Sequence, residues 1–123
     1  MIAKAKKARY TEGEVNVMKI LCIMDNGFEE LEAVGTIALL RRSGIEIDVA
    51  AVEGHEATGR FELTFSNLKS LDEVDTAEYG GVFLPGGPHY QKIEKNEKVK
   101  GILKAFFEAG KLTSANSISV VSA

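Results

Sequence analysis

Three carboxylates crowd into one short stretch, Glu29, Glu30 and Glu32, just after an apolar run broken by Asp25-Asn26-Gly27. Acidic residues favour helix N-termini, where the macrodipole is positive, so capping alone accounts for Glu29 and Glu30. Glu32 lies close to the face that carries Leu31 and Val34, and a carboxylate turned from there toward a loop crevice would be desolvated, which favours its protonated form. A second candidate is Leu84-Pro-Gly-Gly-Pro. The adjacent Gly86 and Gly87 permit backbone N–H groups to point at a bound anion or a developing oxyanion, although an ordinary tight turn has the same composition. His89 follows at once and either titrates near neutrality beside a site or serves as a cap or exposed group. His55, between Gly54 and Glu56, reads as an exposed loop residue, because no second histidine or cysteine lies at metal-binding spacing. No metal and no cofactor are expected.

These residues need elements to hold them. Met18–Met24 is a near-continuous apolar run of strand length, suited to a central strand of a parallel sheet covered on both faces. From about Glu29 the period changes to that of a helix, with Leu31, Val34, Ile37, Ala38 and Leu40 expected along one buried stripe, Arg41 and Arg42 at its negative end and Gly44 as its stop. Ile45–Val52 reads as a second parallel strand, Phe61–Phe65 as a short half-buried strand outside the parallel set, and Ser70–Ala77 as a surface turn or short helix. Gly80–Leu84 is the next buried strand. Asn96 caps a helix with an apolar face of Val99, Ile102, Leu103, Phe106 and Phe107, ended by Gly110, and Lys111–Ala115 re-enters the sheet. Repeated alternation of buried strand and amphipathic helix predicts an α/β sandwich in which Met18–Met24, Ile45–Val52 and Gly81–Leu84 are parallel neighbours. The loops after those strands then gather the glutamate turn and the Pro-Gly-Gly turn at the carboxyl edge of the sheet.

A length of 123 residues suits one domain with a real core, and 45% apolar with 27% charged residues is ordinary for a soluble globular chain. The net charge of −3 argues against a general nucleic-acid binder. Residues 1–17 form a basic leader or tail ahead of a domain over 18–123; an edge strand over Arg9–Val17 is the other reading, since its last residues alternate. No apolar stretch reaches membrane-spanning length and the N-terminus lacks a secretory signal, so a cytoplasmic location without membrane partners is expected. The single cysteine, Cys22, lies inside the first strand, where burial is the normal reading.

With Phe28-Glu-Glu-Leu-Glu-Ala33, Leu84-Pro-Gly-Gly87 and Gly110-Lys-Leu112 in this order and spacing, the chain resembles the ThiJ/PfpI family over about Met18–Ser117. That family includes the parkinsonism-associated deglycase and bacterial protease-like relatives. The resemblance implies a flavodoxin-like three-layer sandwich, incomplete here at the C-terminus, and a cysteine on a strand-to-helix elbow assisted by a protonated glutamate and often a histidine. It implies that Glu32 contacts the nucleophile and that Gly86 and Gly87 are the backbone donors beside it. Counted from Gly110-Lys-Leu112, the elbow cysteine falls at Ser117, and His89 is the local histidine candidate. A thiolate is a nucleophile near neutral pH, whereas a serine hydroxyl needs a positioned base. Two functions are therefore expected to compete. One is turnover of small reactive carbonyls (glyoxalase or deglycase type) or peptidase-like hydrolysis. The other is a catalytically silent member or fragment acting by binding and self-association. Sheet or helix surface left uncovered by the missing family segments is expected to be hidden in a homodimer or higher oligomer.

Overall fold

A computed structural model describes residues 19–86, 93 and 95–115. Strand β1 (Lys19–Met24) is buried from Ile20 onward and is the central strand of a five-stranded sheet. On one side it pairs in parallel with β2 (Glu46–Ala51), with Lys19 opposite Glu46 and Met24 opposite Ala51. The short strands β3 (Ala57–Thr58) and β4 (Thr64–Phe65) form a separate antiparallel hairpin, and β5 (Lys69–Ser70) pairs in parallel with the far end of β2. On the other side of β1 lies β6 (Gly81–Leu84), followed by β7 (Leu112–Ala115), both parallel. The sheet order is β5-β2-β1-β6-β7. A near-continuous apolar strand at the centre, covered on both faces, is what an all-parallel sheet requires.

Helix α1 (Glu30–Arg42) follows β1, and helix α2 (Glu97–Glu108) precedes β7. Each starts on a side-chain cap: the Glu29 carboxylate accepts from the Leu31 amide at 2.7 Å, and Asn96 Oδ1 accepts from the Lys98 and Val99 amides at 2.9 and 3.1 Å. Each ends before a glycine in the left-handed region, Gly44 (φ +90°) and Gly110 (φ +74°). The helices take opposite faces of the sheet. Phe28, Ala33 and Ile37 pack with Ile20, Cys22, Met24 and Phe83 on one face; Val99 and Phe106 pack with Leu21, Ile23, Val82 and Leu84 on the other. The odd and even residues of β1 thus feed two separate cores.

Several expectations need correction. The buried stripe of α1 is Glu30, Ala33 and Ile37, whereas Leu31 is 82% exposed and Val34 44%. The 3.6-residue period allows either set, and the contact of Phe28 with the sheet selects the one rotated away from Leu31. On α2, Phe107 is exposed while Phe106 is fully buried. The strand expected over Phe61–Phe65 shortens to β4, because Glu62 adopts φ +74° and turns the chain. Over Ser70–Ala77, expected as a surface turn or short helix, the chain does form short helical turns, two of them 3₁₀, at Leu71–Glu73 and Thr76–Glu78.

At the amino end of the sheet the buried Tyr79 donates its hydroxyl to Asp48 at 2.7 Å, and Lys19 Nζ lies 3.3 Å from the same carboxylate. Burial first, and then the Asp48 bond, push the phenol well above its ordinary range, so it stays a donor. Tyr79→Phe removes this bond to a charged acceptor and is expected to lower stability by about 1.5–3 kcal/mol, read from urea unfolding.

Candidate functional site

The connection leaving β1 goes to one face of the sheet through α1, and α2 packs on the opposite face. The carboxyl ends of the adjacent strands β1 and β6 therefore border a topological switch point, where open α/β sheets bind ligands. Two loops meet there. The Glu29 amide donates to the Gly86 carbonyl at 2.9 Å, tying the Pro-Gly-Gly turn to the first residue of the glutamate turn. Asp25, directly after β1, is buried, accepts from the Asn26 amide at 2.8 Å, and its carbonyl accepts from Phe28 N at 3.3 Å. β7 runs beside β6 with Ala115 opposite Leu84, so its carboxyl end is delivered to the same edge.

The β3–β4 hairpin is latched onto this turn. Gly27 N donates to the Thr58 carbonyl at 2.8 Å, Thr58 N donates to Asn26 Oδ1 at 2.9 Å, and Arg60 N donates to the Phe28 carbonyl at 2.8 Å. Glu30 then closes the latch. Its carboxylate accepts from Phe61 N at 3.1 and 2.9 Å through its two oxygens and from Leu63 N at 3.1 Å. A side chain on Gly59 would collide with the Glu30 carboxyl, so close approach of the backbone is what this glycine allows. The Phe28 and Phe65 rings stack at 5.4 Å, tilted by 59°, beneath the polar contacts. Burial opposes the Glu30 charge, but the amides of Leu63, of Glu30 itself and of Phe61, with the Arg60 guanidinium, outweigh it and hold the carboxyl below its usual range.

The candidate residues fall as follows. Glu29 is the helix cap, as expected. Glu30, read as a second capping acid, is instead the buried partner of the hairpin. Glu32 lies two residues beyond Glu30 on α1 and is exposed. Gly86 sits beside the start of α1, with its carbonyl engaged by Glu29. Gly87, His89 and Ser117 lie outside the described residues, as does the segment 1–17. Cys22 is fully buried, and burial pushes its thiol up to about 12, which removes it as a nucleophile. His55 is exposed, with Nδ1 3.0 Å from the Leu68 carbonyl. Among the described residues no group of three metal-ligating side chains converges, and no helix is long and apolar enough to cross a membrane.

A flavodoxin-like parallel sheet with a glutamate turn after β1 facing a Pro-Gly-Gly turn after the adjacent strand defines a class of α/β proteins, and the DJ-1/PfpI family model matches residues 18–120. The chain belongs to that family. Over 94 residues it is 35% identical to a deglycase of Thermococcus kodakarensis and 32% identical to Deglycase PfpI of Pyrococcus furiosus, in each case across 76% of this chain and 57% of the relative. Among solved structures it is similar to oxidized DJ-1 of Toxoplasma gondii (29% identity, TM-score 0.74) and DJ-1beta of Drosophila melanogaster (27%, TM-score 0.73). Each likeness covers 80% of this chain and 54% of the other. The chain thus spans little more than half the length of the relatives it matches.

Sequence reasoning missed Glu30, Asn26 and Gly59 as a unit. The available signal was the pairing of an acid beside the cap with a glycine-containing turn some thirty residues on, which only the tertiary fold connects. Gly59→Ala is expected to displace the Glu30 carboxyl and lower stability by about 1–3 kcal/mol in thermal or urea unfolding. Because the folded state holds the Glu30 carboxyl below its unfolded value, its contribution is present above the ordinary carboxylate range and is lost as pH falls through the depressed value. Glu30→Gln is expected to flatten that acid limb of the stability–pH curve.

Proposed function

We propose that the chain carries part of a DJ-1/PfpI-type site for small reactive carbonyl compounds, the chemistry named in its deglycase relatives. The observation that carries this reading is the 2.9 Å bond from Glu29 N to the Gly86 carbonyl, which holds the Pro-Gly-Gly turn against the glutamate turn. In this reading Glu32 and the Gly86-Gly87 turn flank the carbonyl group, and Gly87 N–H, His89 and residue 117 complete the crevice. A backbone N–H there would stabilise the oxyanion formed when a nucleophile adds to the carbonyl carbon.

Ser117 favours a second reading, a catalytically silent site. The family places a cysteine there, and a serine hydroxyl without a positioned base adds to a carbonyl far more slowly than a thiolate. The purified chain is expected to consume methylglyoxal no faster than a Ser117→Ala control, and Ser117→Cys to gain a reactive thiol whose titration shifts when Glu32 is replaced by Gln. Enzyme-like turnover by the wild type that Ser117→Ala abolishes would make serine the nucleophile and sink the silent reading. A Ser117→Cys thiol indifferent to Glu32 would sink the crevice itself.

We also propose self-association. Leu31 (82% exposed), Val34, Phe61 (65%) and Leu63 (57%) stand out around the Glu30 latch, with Phe61 and Leu63 joined to it through their amides, and such a patch is costly to leave in water. A dimer mass is expected in light scattering, shifting to monomer on Leu31→Glu.

A further inference from the structure

The outer edge of β2 is only half covered. β5 pairs with Ala50 and Ala51, and among the described residues no strand lies on that side of Glu46–Val49. Val52 N donates to the Met24 carbonyl, so even-numbered residues here direct their backbone groups to β1, and the backbone groups of Ile47 and Val49 face outward. Both outward carbonyls are taken. Arg41 Nη2 donates to that of Ile47 at 2.8 Å, and the register that sets Ala50 opposite Lys69 gives the Lys69 amide to that of Val49. What this edge still offers is donors, the amides of Ile47 and Val49. Beside it, on the far side of β2 from the switch point, runs a groove of about 960 Å³, with Ile47 and Val49 as floor, Val34 and Ile37 of α1 as one wall, and Phe65 and Leu68 as the other. Arg41 and Lys69 line the same groove, and 49% of the Lys69 side chain is exposed. The acid that lines it, Asp48, receives the Tyr79 hydroxyl at 2.7 Å and Lys19 at 3.3 Å, with Lys69 at 4.0 Å; Glu46 at the strand's start lies outside the lining. The groove is therefore an apolar trough whose remaining side-chain charge is positive and whose remaining backbone groups donate.

We propose that this groove binds an aliphatic monocarboxylate, its head held by Arg41 and the outward amides of β2 and its hydrocarbon chain laid between Val34 and Ile37 on one side and Phe65 and Leu68 on the other. The guanidinium has five donors, so Arg41 keeps the Ile47 carbonyl and holds a carboxylate oxygen as well. A cationic ligand meets Arg41 and Lys69 with like charge. An added peptide strand is disfavoured for a separate reason: its own amides would find both outward carbonyls filled, and unmet donors at a covered edge are costly. A carboxylate brings acceptors only, which is what this edge lacks. The volume falls within the roughly 300–1,000 Å³ of small-molecule pockets, and each methylene laid on the aliphatic walls adds to affinity.

Titration of the nitrogen-labelled full-length chain with decanoate, followed by NMR, tests the proposal. The Ile47 and Val49 amides and the Arg41 guanidinium are expected to shift saturably, and octanoate, two methylenes shorter, to bind about tenfold more weakly. Arg41→Gln is expected to weaken decanoate about tenfold or more, and Arg41→Lys by less, because a charge-assisted bond is lost in the first and partly kept in the second. Val34→Asp, which sets a carboxylate on the wall, weakens it independently of Arg41. Unchanged β1 amide signals in each variant show that the core is intact. Equal affinity for decanoate and decyltrimethylammonium overturns the proposal, since the head group would then not be read. Affinity untouched by Arg41→Gln, or shifts confined to Leu31 and Phe61 with Ile47 and Val49 unmoved, also overturns it.

Discussion

A carboxylate and the backbone of a hairpin hold the carboxyl edge of the sheet together at the candidate site. Glu30 sits at the first helical position after β1, and its two oxygens receive the amides of Phe61 and Leu63. Each of those amides would otherwise be an unmet donor in a turn pressed against the helix, and a charged acceptor is the strongest partner the side-chain repertoire offers. Because Glu29, one residue earlier, donates its own amide to Gly86, the same two residues bind three segments that are far apart in sequence. The β3–β4 hairpin, the start of α1 and the turn after β6 therefore move as one body, and the geometry at the switch point depends on that coupling.

The apolar architecture was legible in the sequence because parallel strands buried on both faces leave little ambiguity. Met18–Met24, Ile45–Val52 and Gly81–Leu84 are such runs, and they form the parallel neighbours β1, β2 and β6 within a residue or two of the expected bounds. Asn96 and Gly110 marked α2 for the same local reason: side-chain acceptors and left-handed glycines act within one turn of chain. The helix faces were harder. Leu31, Val34 and Phe107 keep the period of the buried stripe yet stand exposed, because periodicity fixes the spacing of a face and not which of two adjacent faces meets the sheet.

The candidate site shows the same division. The glutamate turn and the Pro-Gly-Gly turn were visible as compositional breaks after strands, and the switch-point rule brings such loops to one edge. What each acid does was not visible. Glu30 reads as a cap in any local analysis, and its role as hairpin anchor comes from Gly59, Phe61 and Leu63, which only the fold brings to it. Glu32 reads as the desolvated acid and stands exposed on α1. Family membership rests on the match over residues 18–120, which local pattern around any single acid does not supply.

The account rests on the latch being formed in solution, and the amide protons of Phe61 and Leu63 report on it most directly. Observed by NMR near neutral pH, both are expected to exchange slowly, together with the Glu29 amide bonded to Gly86, and to become labile in concert as acid neutralises the Glu30 carboxylate. Phe61 and Leu63 amides exchanging at unfolded-chain rates at neutral pH, while the β1 amides stay protected, would contradict it.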